Sequence, residues 1–285
     1  MNSKDCFDLP WTLPVIKKRS EGEMTVTLSF TLPGSKNVVA KPGQYFMLWM
    51  PGDDEIPVSV SRMDGHTIEF TICNVGSTTK NMVSLDQSSL VGLRGPFGNG
   101  FDINHHKNVL LIAGGMGIPP LRYLIYHILE NFTGERNIFL IQGAKTKDEL
   151  YFREEFEKLP VKMEPCTDDG SFGFHGFPSK ILADFLEDQA QKGKESDWEI
   201  YTCGPEKMLK AILMITKDYK LEKSTQISLA DRYIRCGFGI CGSCFLDDLG
   251  LSICKDGPVF RGDVLLKIKD FGHYGRAADG SKYTL

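Results

Sequence analysis

Four of the chain's eight cysteines crowd one short stretch near its end, in the order Cys236-x4-Cys241-x2-Cys244-x9-Cys254. Thiols packed this densely are metal ligands or reduced bystanders, and two metal chemistries compete. Structural zinc usually draws on two separated pairs, each C-x2-C or close to it. Here three thiols share one loop, the fourth comes alone, and the loop carries Gly237, Gly239 and Gly242. The C-x4-C-x2-C…C order is that of plant-type [2Fe–2S] ligation. A loop wrapped round two irons needs φ values that a Cβ resists, which explains the glycines, and its backbone N–H groups can then point at sulfur. A [2Fe–2S] cluster on these four cysteines is the expectation. Zinc and free thiols stand behind it.

A second stretch suits a different ligand. "NVLLIAGG" from Asn108 is a buried-strand run, and "IPPLRYLIYHILENF" after it has apolar residues at helical spacing. The connection, "AGGMGIPP", puts glycines where the chain turns sharply and proline in the helix's first turn. Backbone N–H groups at such a helix start suit a phosphate, so a nucleotide is expected there. A nicotinamide nucleotide gives two electrons as hydride, whereas an iron–sulfur cluster carries one at a time. Something must split the pair, and flavin is the usual converter.

The elements that must position these groups fall into two textures. From about residue 11 to 104, "EMTVTLSF", "QYFMLWMP", "EIPVSVSR", "HTIEFTIC" and "SLVGLRGPFG" read as strands of a small barrel or sandwich, with no long helix. After residue 106, strand and helix alternate: "NIFLIQGA" then "DELYFREEFEKL", and "WEIYTCG" then "PEKMLKAILMITKDY". That alternation predicts parallel βαβ units. One more strand in "STQISLADRYIRCG" leads into the cysteines. The tail after Phe260 has one strand-like run and then polar residues. The fold class expected is α+β multidomain: an N-terminal antiparallel β-barrel (1–104), a central α/β nucleotide-binding domain with a parallel sheet (105–225), and a small C-terminal cluster region and tail (226–285).

Composition sets bounds. The chain has 285 residues, a formal charge of −4, 41% hydrophobic and 25% charged residues. That is ordinary for a globular protein and argues against nucleic acid, whose binders concentrate basic patches. The N-terminus carries acidic residues and no apolar core, and the longest apolar run is glycine-broken and too short for a bilayer. A cytoplasmic, reducing location is expected, with Cys6, Cys73, Cys166 and Cys203 as small buried hydrophobes.

"IPVSVS" at a strand, "NVGSTTK" beyond it, "RGPFGNGF" and "AGGMGIPPL" together resemble the ferredoxin reductase superfamily. The resemblance implies FAD on the barrel. Pro57, Val58 and Ser59, with Ile72, Cys73 and Asn74, would line the flavin, and Gly76, Ser77, Thr78 and Thr79 would approach its pyrophosphate. Small hydroxyls beside a glycine suit phosphate oxygens. The superfamily's Arg-Pro-x-Ser arginine is Ile56 here, leaving Arg62 and Lys80 as cations to replace it. In the nucleotide half, Gly114, Gly115, Gly117, Ile118 and Pro119 match the first βα turn. "YTCGPEKM" matches the Cys-Gly-Pro-x-x-Met motif, so Cys203, Gly204, Pro205 and Met208 would lie at the nicotinamide, with Cys203 as the catalytic residue. "TDDGSFG" brings Asp168 to the same site.

The ending narrows the resemblance. "RCGFGICGSC" with "CKDGPVF" is similar to the electron-transfer subunits of dihydroorotate dehydrogenase. The resemblance implies a relay through NADH, FAD and [2Fe–2S], with an FMN-bearing catalytic subunit as partner in a heterotetramer and pyrimidine biosynthesis as the setting. Related flavin subunits of hydrogenases, sulfite reductases and NADH-dependent ferredoxin:NADP oxidoreductases share much of the same ending. A zinc-stapled binding module is the non-enzyme alternative. Lys145 and Lys147 stand beside Asp148 and Glu149, more a solvated helix start than a 2′-phosphate site, which favours NAD.

Overall fold

The computed structural model describes residues 9–34, 38–103, 108–132, 134, 136–277 and 281–285. Short runs of β-branched and aromatic residues form the first sheet: β1 (Trp11–Pro14), β2 (Lys17–Gly22), β3 (Thr25–Thr31), β4 (Tyr45–Trp49), β5 (Ile56–Asp64), β6 (Thr67–Cys73) and β7 (Leu90–Phe97). Its order is β1-β7-β4-β5-β6-β3-β2, antiparallel throughout, with β1 and β2 as edges of a half-barrel. Alternation along β3 sends Val26, Leu28 and Phe30 into the core with Phe46, Ile68 and Phe70. On its other face Thr27, Thr71 and Ser61 satisfy one another through hydroxyl bonds of 2.9 Å. This half also carries a helix, α1 (Ser77–Ser84), built from "STTKNMVS".

The second sheet has β8 (Asn108–Gly114), β9 (Asn137–Ala144), β10 (Lys162–Thr167), β11 (Phe174–His175), β12 (Trp198–Cys203) and β13 (Thr225–Ser228). The helices are α2 (Ile118–Asn131), α3 (Arg153–Phe156), α4 (Pro178–Gln191) and α5 (Glu206–Asp218). The strand order β11-β10-β9-β8-β12-β13 is parallel and reverses direction between β8 and β12. Ligands of such open sheets bind at that switch point, beyond the carboxyl ends of the strands.

Two expectations need correction. "DELYFREEFEKL" is α-helical only over α3, after a 3-10 turn at Lys147–Glu149, because Phe152 takes a left-handed φ of 63° and breaks the run. Tyr151, Phe152 and Phe156 instead turn inward. The strand-like "VLLKI" of the tail forms a helical turn, with Leu265, Ile268 and Phe271 buried. The segment after the cysteines is also woven into the nucleotide-half sheet: β16 (Val259–Arg261) pairs antiparallel with β13, Ser228 opposite Val259. Between them lie the two-residue strands β14 (Phe245–Leu246) and β15 (Leu251–Ser252) and one helical turn (Ile253–Asp256).

Helix α2 joins the two halves. Its Arg122 is almost wholly buried, donating to both oxygens of Glu155, to Glu69 at 2.7 Å and to Ser61 on β5. Tyr123 donates to the Ala40 carbonyl at 2.6 Å. Removing Arg122 alone would leave carboxylates uncompensated, costing about 3–5 kcal/mol. Among the described residues no helix is long and apolar enough to cross a membrane.

Candidate redox site

At the switch point a cavity of about 290 Å³ opens between the two sheets. One wall is the first half: Ile56, Pro57, Val58 and Ser59 of β5, then Thr71, Ile72 and Cys73 of β6, with Val75 and Thr79 beyond. The facing wall is the turn after β8 and the end of β12: Gly114, Met116, Gly117 and Pro119, with Cys203, Gly204 and Pro205. Residues that the chain separates widely thus meet across one space.

The glycines are there because the two crossings nearly touch. A methyl on Gly117 would strike the carbonyl of Cys203, and one on Gly114 would strike the sulfur of Met208. Gly115 differs, with a left-handed φ of 49° and open space where a side chain would stand. Pro119 and Pro120 then fit the first turn of α2, where N–H groups have no partner in the helix. At the other wall, the Thr79 hydroxyl accepts the amides of Val75 and Gly76 at 2.9 Å, fixing the turn into α1.

Several expected residues stand behind the wall rather than in it. Ile118 is fully buried in the core, and Met208 packs on Gly114 from the rear. Thr78 is buried in α1, Asn74 donates its amide to Met24, and Gly76 and Ser77 are exposed at the helix start. Asp168 is exposed at the end of β10, two strands from β8. Neither cation offered for the missing arginine lines the cavity. Arg62 bonds Glu130 at 3.2 Å and stacks 3.7 Å from the Tyr126 ring, while Lys80 points to solvent on α1. Sequence reasoning missed Thr71, Val75, Met116, Ala230 and Asp231. The last two come from the loop after β13, inside the quoted "SLADRYIRCG".

The scattered cysteines part company. Cys166 and Cys203 are buried, and burial pushes both thiols up to about 12. Cys73 is half-buried and lines the cavity. Cys6 lies outside the described residues.

The cysteine segment packs against β4 and β7. Met47 and Pro57 are cross-strand partners, and a methyl on Gly237 would meet Met47 at 3.5 Å. Strand β4 is therefore in contact with both the cavity strand β5 and the cysteine loop. Tyr45, Met47 and Phe97 of the first sheet share a core with Ile234, Cys244, Leu246, Cys254 and Phe260. Tyr45 donates to the Cys254 carbonyl at 3.0 Å, and the Asn99 side chain donates to that of Asp256 at 2.9 Å.

Gly237, Gly239 and Gly242 all take left-handed φ values, 79°, 78° and 76°. That winding turns amides onto sulfur: Phe238 N–H to Cys236 at 3.3 Å and Gly239 N–H to Cys254 at 3.1 Å. Burial would raise the Cys236 thiol, but the amides of Cys241, Phe238 and Ile240 outweigh it and bring it down to about 6. A hydrogen bond from Cys254 brings Cys244 down to about 7, while Cys254 itself goes up. Cys241 is exposed, and none of the seven described cysteines is in a disulfide. Among the described residues no three His, Cys, Asp or Glu side chains are placed to hold a single metal ion. Three thiols on a wound loop, with Cys254 on the helical turn beside it and backbone amides aimed at sulfur, fit the donor set of a [2Fe–2S] cluster.

Comparison with known proteins agrees with this geometry. Residues 111–213 match the model of the oxidoreductase NAD-binding domain, and residues 231–266 that of the iron–sulfur cluster binding domain of dihydroorotate dehydrogenase B. A protein of Methanocaldococcus jannaschii named "Probable dihydroorotate dehydrogenase B (NAD(+)), electron transfer subunit" is 44% identical over 85% of this chain and 87% of its own. A protein of the same name from Methanothermobacter thermautotrophicus is 34% identical over 98% of both chains. Among solved structures, a chain of an NADH-dependent reduced ferredoxin–NADP oxidoreductase superposes with a TM-score of 0.74 at 26% identity, covering 90% of this chain and 92% of that one. The ferredoxin NADP+ reductase of Neisseria gonorrhoeae, solved with FAD and NADP, superposes at 0.61 and 18% identity over 74% and 91%, a likeness of fold. The cysteine loop, the nucleotide turn and these relatives converge: the chain belongs to the family of dihydroorotate dehydrogenase B electron transfer subunits.

Proposed function

We propose that this chain passes electrons between a dihydroorotate dehydrogenase catalytic subunit and NAD, through a [2Fe–2S] cluster and FAD. The observation that carries the reading is the contiguity of three sites: the nucleotide turn and the wall of β5 and β6 face one cavity, and β4, paired with β5, packs against the cysteine loop. Bound there, the flavin supplies hydride exchange with nicotinamide on one side and single-electron exchange with the cluster on the other.

The chain's own residues hold the two partners of that exchange together. Pro57, Val58, Ser59, Ile72 and Cys73 give the flavin an apolar wall. Asn74 completes the flavin's wall, and Gly76, Ser77, Thr78 and Thr79 form the start of α1 that its pyrophosphate approaches. Gly114, Gly115, Gly117, Ile118 and Pro119 bring the α2 amides to the nucleotide phosphates. Gly204, Pro205 and Met208 close the nicotinamide end, with Asp168 at its approach. Cys203, kept protonated by burial, offers a neutral sulfur at the reacting face and no competing thiolate. Cys236, Cys241, Cys244 and Cys254 ligate the irons. Functionally the chain divides at 1–104 for FAD, 105–225 for NAD and 226–285 for the cluster and tail.

The partner is an FMN-bearing catalytic subunit, met through the exposed Cys241 side of the loop in a heterotetramer. The test is a preparation made without oxygen, with iron, sulfide and flavin quantified, then mixed with that subunit. Two irons, two sulfides and one FAD per chain, with dihydroorotate-dependent NAD reduction, are expected. A colourless protein containing zinc would overturn the reading.

A further inference from the structure

Arg94, on β7, reaches both Glu55, the residue just before the cavity strand β5, and the cysteine loop. Its side chain is 7% exposed. Nε and Nη2 donate to the two oxygens of Glu55 at 2.9 and 2.5 Å, and Nη2 also donates to the carbonyl of Cys236 at 3.1 Å. The guanidinium carbon lies 5.0 Å from the Phe97 ring centre and 4.5 Å from that of Phe238, two rings that meet edge to face. Nη1 is buried with no hydrogen-bond partner. Glu55 immediately precedes Ile56 of the cavity wall, and Phe238 is the residue whose amide bonds the Cys236 sulfur. Nothing in the packing of β7 alone calls for an arginine here, since a buried cation is expensive unless it is used.

We propose that Arg94, oriented by Glu55, is a positioning residue of the cluster site: it pins the Cys236 arm of the loop to the flavin-facing strands and raises the cluster's reduction potential. This rests on the reading of the four cysteines as [2Fe–2S] ligands. The bidentate fork fixes the direction of the guanidinium, and the two rings exclude water from it. A cation fixed beside the first ligand favours the state with one more negative charge. Net charge and surrounding hydrogen bonds are the terms that set such potentials. Glu55 reaches the loop through Arg94, so its opposing charge acts from further away. Removing the cation and removing the anion must therefore move the potential in opposite directions, which a purely structural clasp would not do.

The experiment uses the full chain purified without oxygen, as wild type, Arg94→Met, Arg94→Lys and Glu55→Gln. Iron and sulfide are counted, and the cluster is titrated reductively with its paramagnetic resonance as the readout. Arg94→Met is expected to keep iron and sulfide while its reduced-to-oxidised ratio at fixed potential falls on the order of tenfold, about 59 mV for one electron. Glu55→Gln should shift the midpoint upward by less. Arg94→Lys should stay near the wild-type midpoint, with altered resonance positions because the planar fork is gone. Equal midpoints for wild type and Arg94→Met, or shifts of the same sign in Arg94→Met and Glu55→Gln, would overturn the proposal. If Arg94→Met loses its iron, the other two variants decide: a lowered midpoint in Arg94→Lys overturns it, and a wild-type one with Glu55→Gln raised upholds it. Wild-type protein without iron and sulfide would overturn the cluster reading itself, before any variant is compared.

Discussion

The thiol of Cys203 ends β12 in a dry pocket that pushes it up to about 12, whereas that of Cys236 sits in a wound loop that brings it down to about 6. The side chains are identical, and backbone amides reach both sulfurs. The difference lies in which influence wins. At Cys203 complete burial outweighs the amides of Gly204 and Ala230. Around Cys236, left-handed glycines free successive amides from any ladder and aim them at sulfur. One arrangement keeps sulfur neutral at the cavity wall. The other prepares it to be a ligand.

The largest expected effect abolishes one side of this contrast. Cys241→Ser should lose the iron and reduce dihydroorotate-dependent NAD reduction to background, while NADH still bleaches the flavin. Retained iron with full transfer would show that the exposed thiol is no ligand. Next comes Gly117→Ala, whose methyl collides with the Cys203 carbonyl. Misplacement of the nucleotide turn by an ångström should slow flavin reduction by NADH on the order of a hundredfold, with iron content unchanged, measured by stopped flow.

Gly239→Ala tests the wound loop itself. A Cβ at φ 78° costs about 1–2 kcal/mol, and the amide that bonds Cys254 is turned with it. Faster iron loss to a chelator is expected, with flavin reduction by NADH intact. The smallest effect concerns pH. The Cys203 thiol is raised from 9.0 to about 12 on folding. Between those values the unfolded chain releases a proton that the folded chain keeps, so stability is intact below about pH 9 and falls as pH rises toward 12. Cys203→Ala should remove that part of the decline, seen as a smaller drop in urea midpoint between about pH 8 and about pH 11.

The cysteine spacing and the glycine turn were legible because each is a local pattern whose chemistry needs those residue types side by side. Strands β3 to β9 were legible from period-two or continuous apolar runs. Helix α4 carried a readable signal too, Ile181, Leu182, Phe185 and Leu186 at helical spacing, yet no motif drew attention to it. Val75 and Asp231 could not be placed, since they reach the cavity only through the crossing of two sheets. Arg94 was in plain view within "RGPFGNGF", but its use depends on Glu55 and Cys236 arriving from 39 and 142 residues away. The failed helix at "DELYFREEFEKL" shows tertiary packing overriding propensity, with three aromatic rings drawn inward.

Ser228 and Val259 face each other across the last pair of strands, so the chain leaves the sheet and returns to it at neighbouring points. Everything between them is in effect a cassette plugged into a nucleotide-binding frame whose hydrogen-bonded ladder continues beneath it. Such a joint lets one cassette be exchanged for another, or shortened to a plain turn, with the frame left standing. A reductase scaffold could thereby gain or shed its outlet to a partner without rebuilding the machinery that handles hydride.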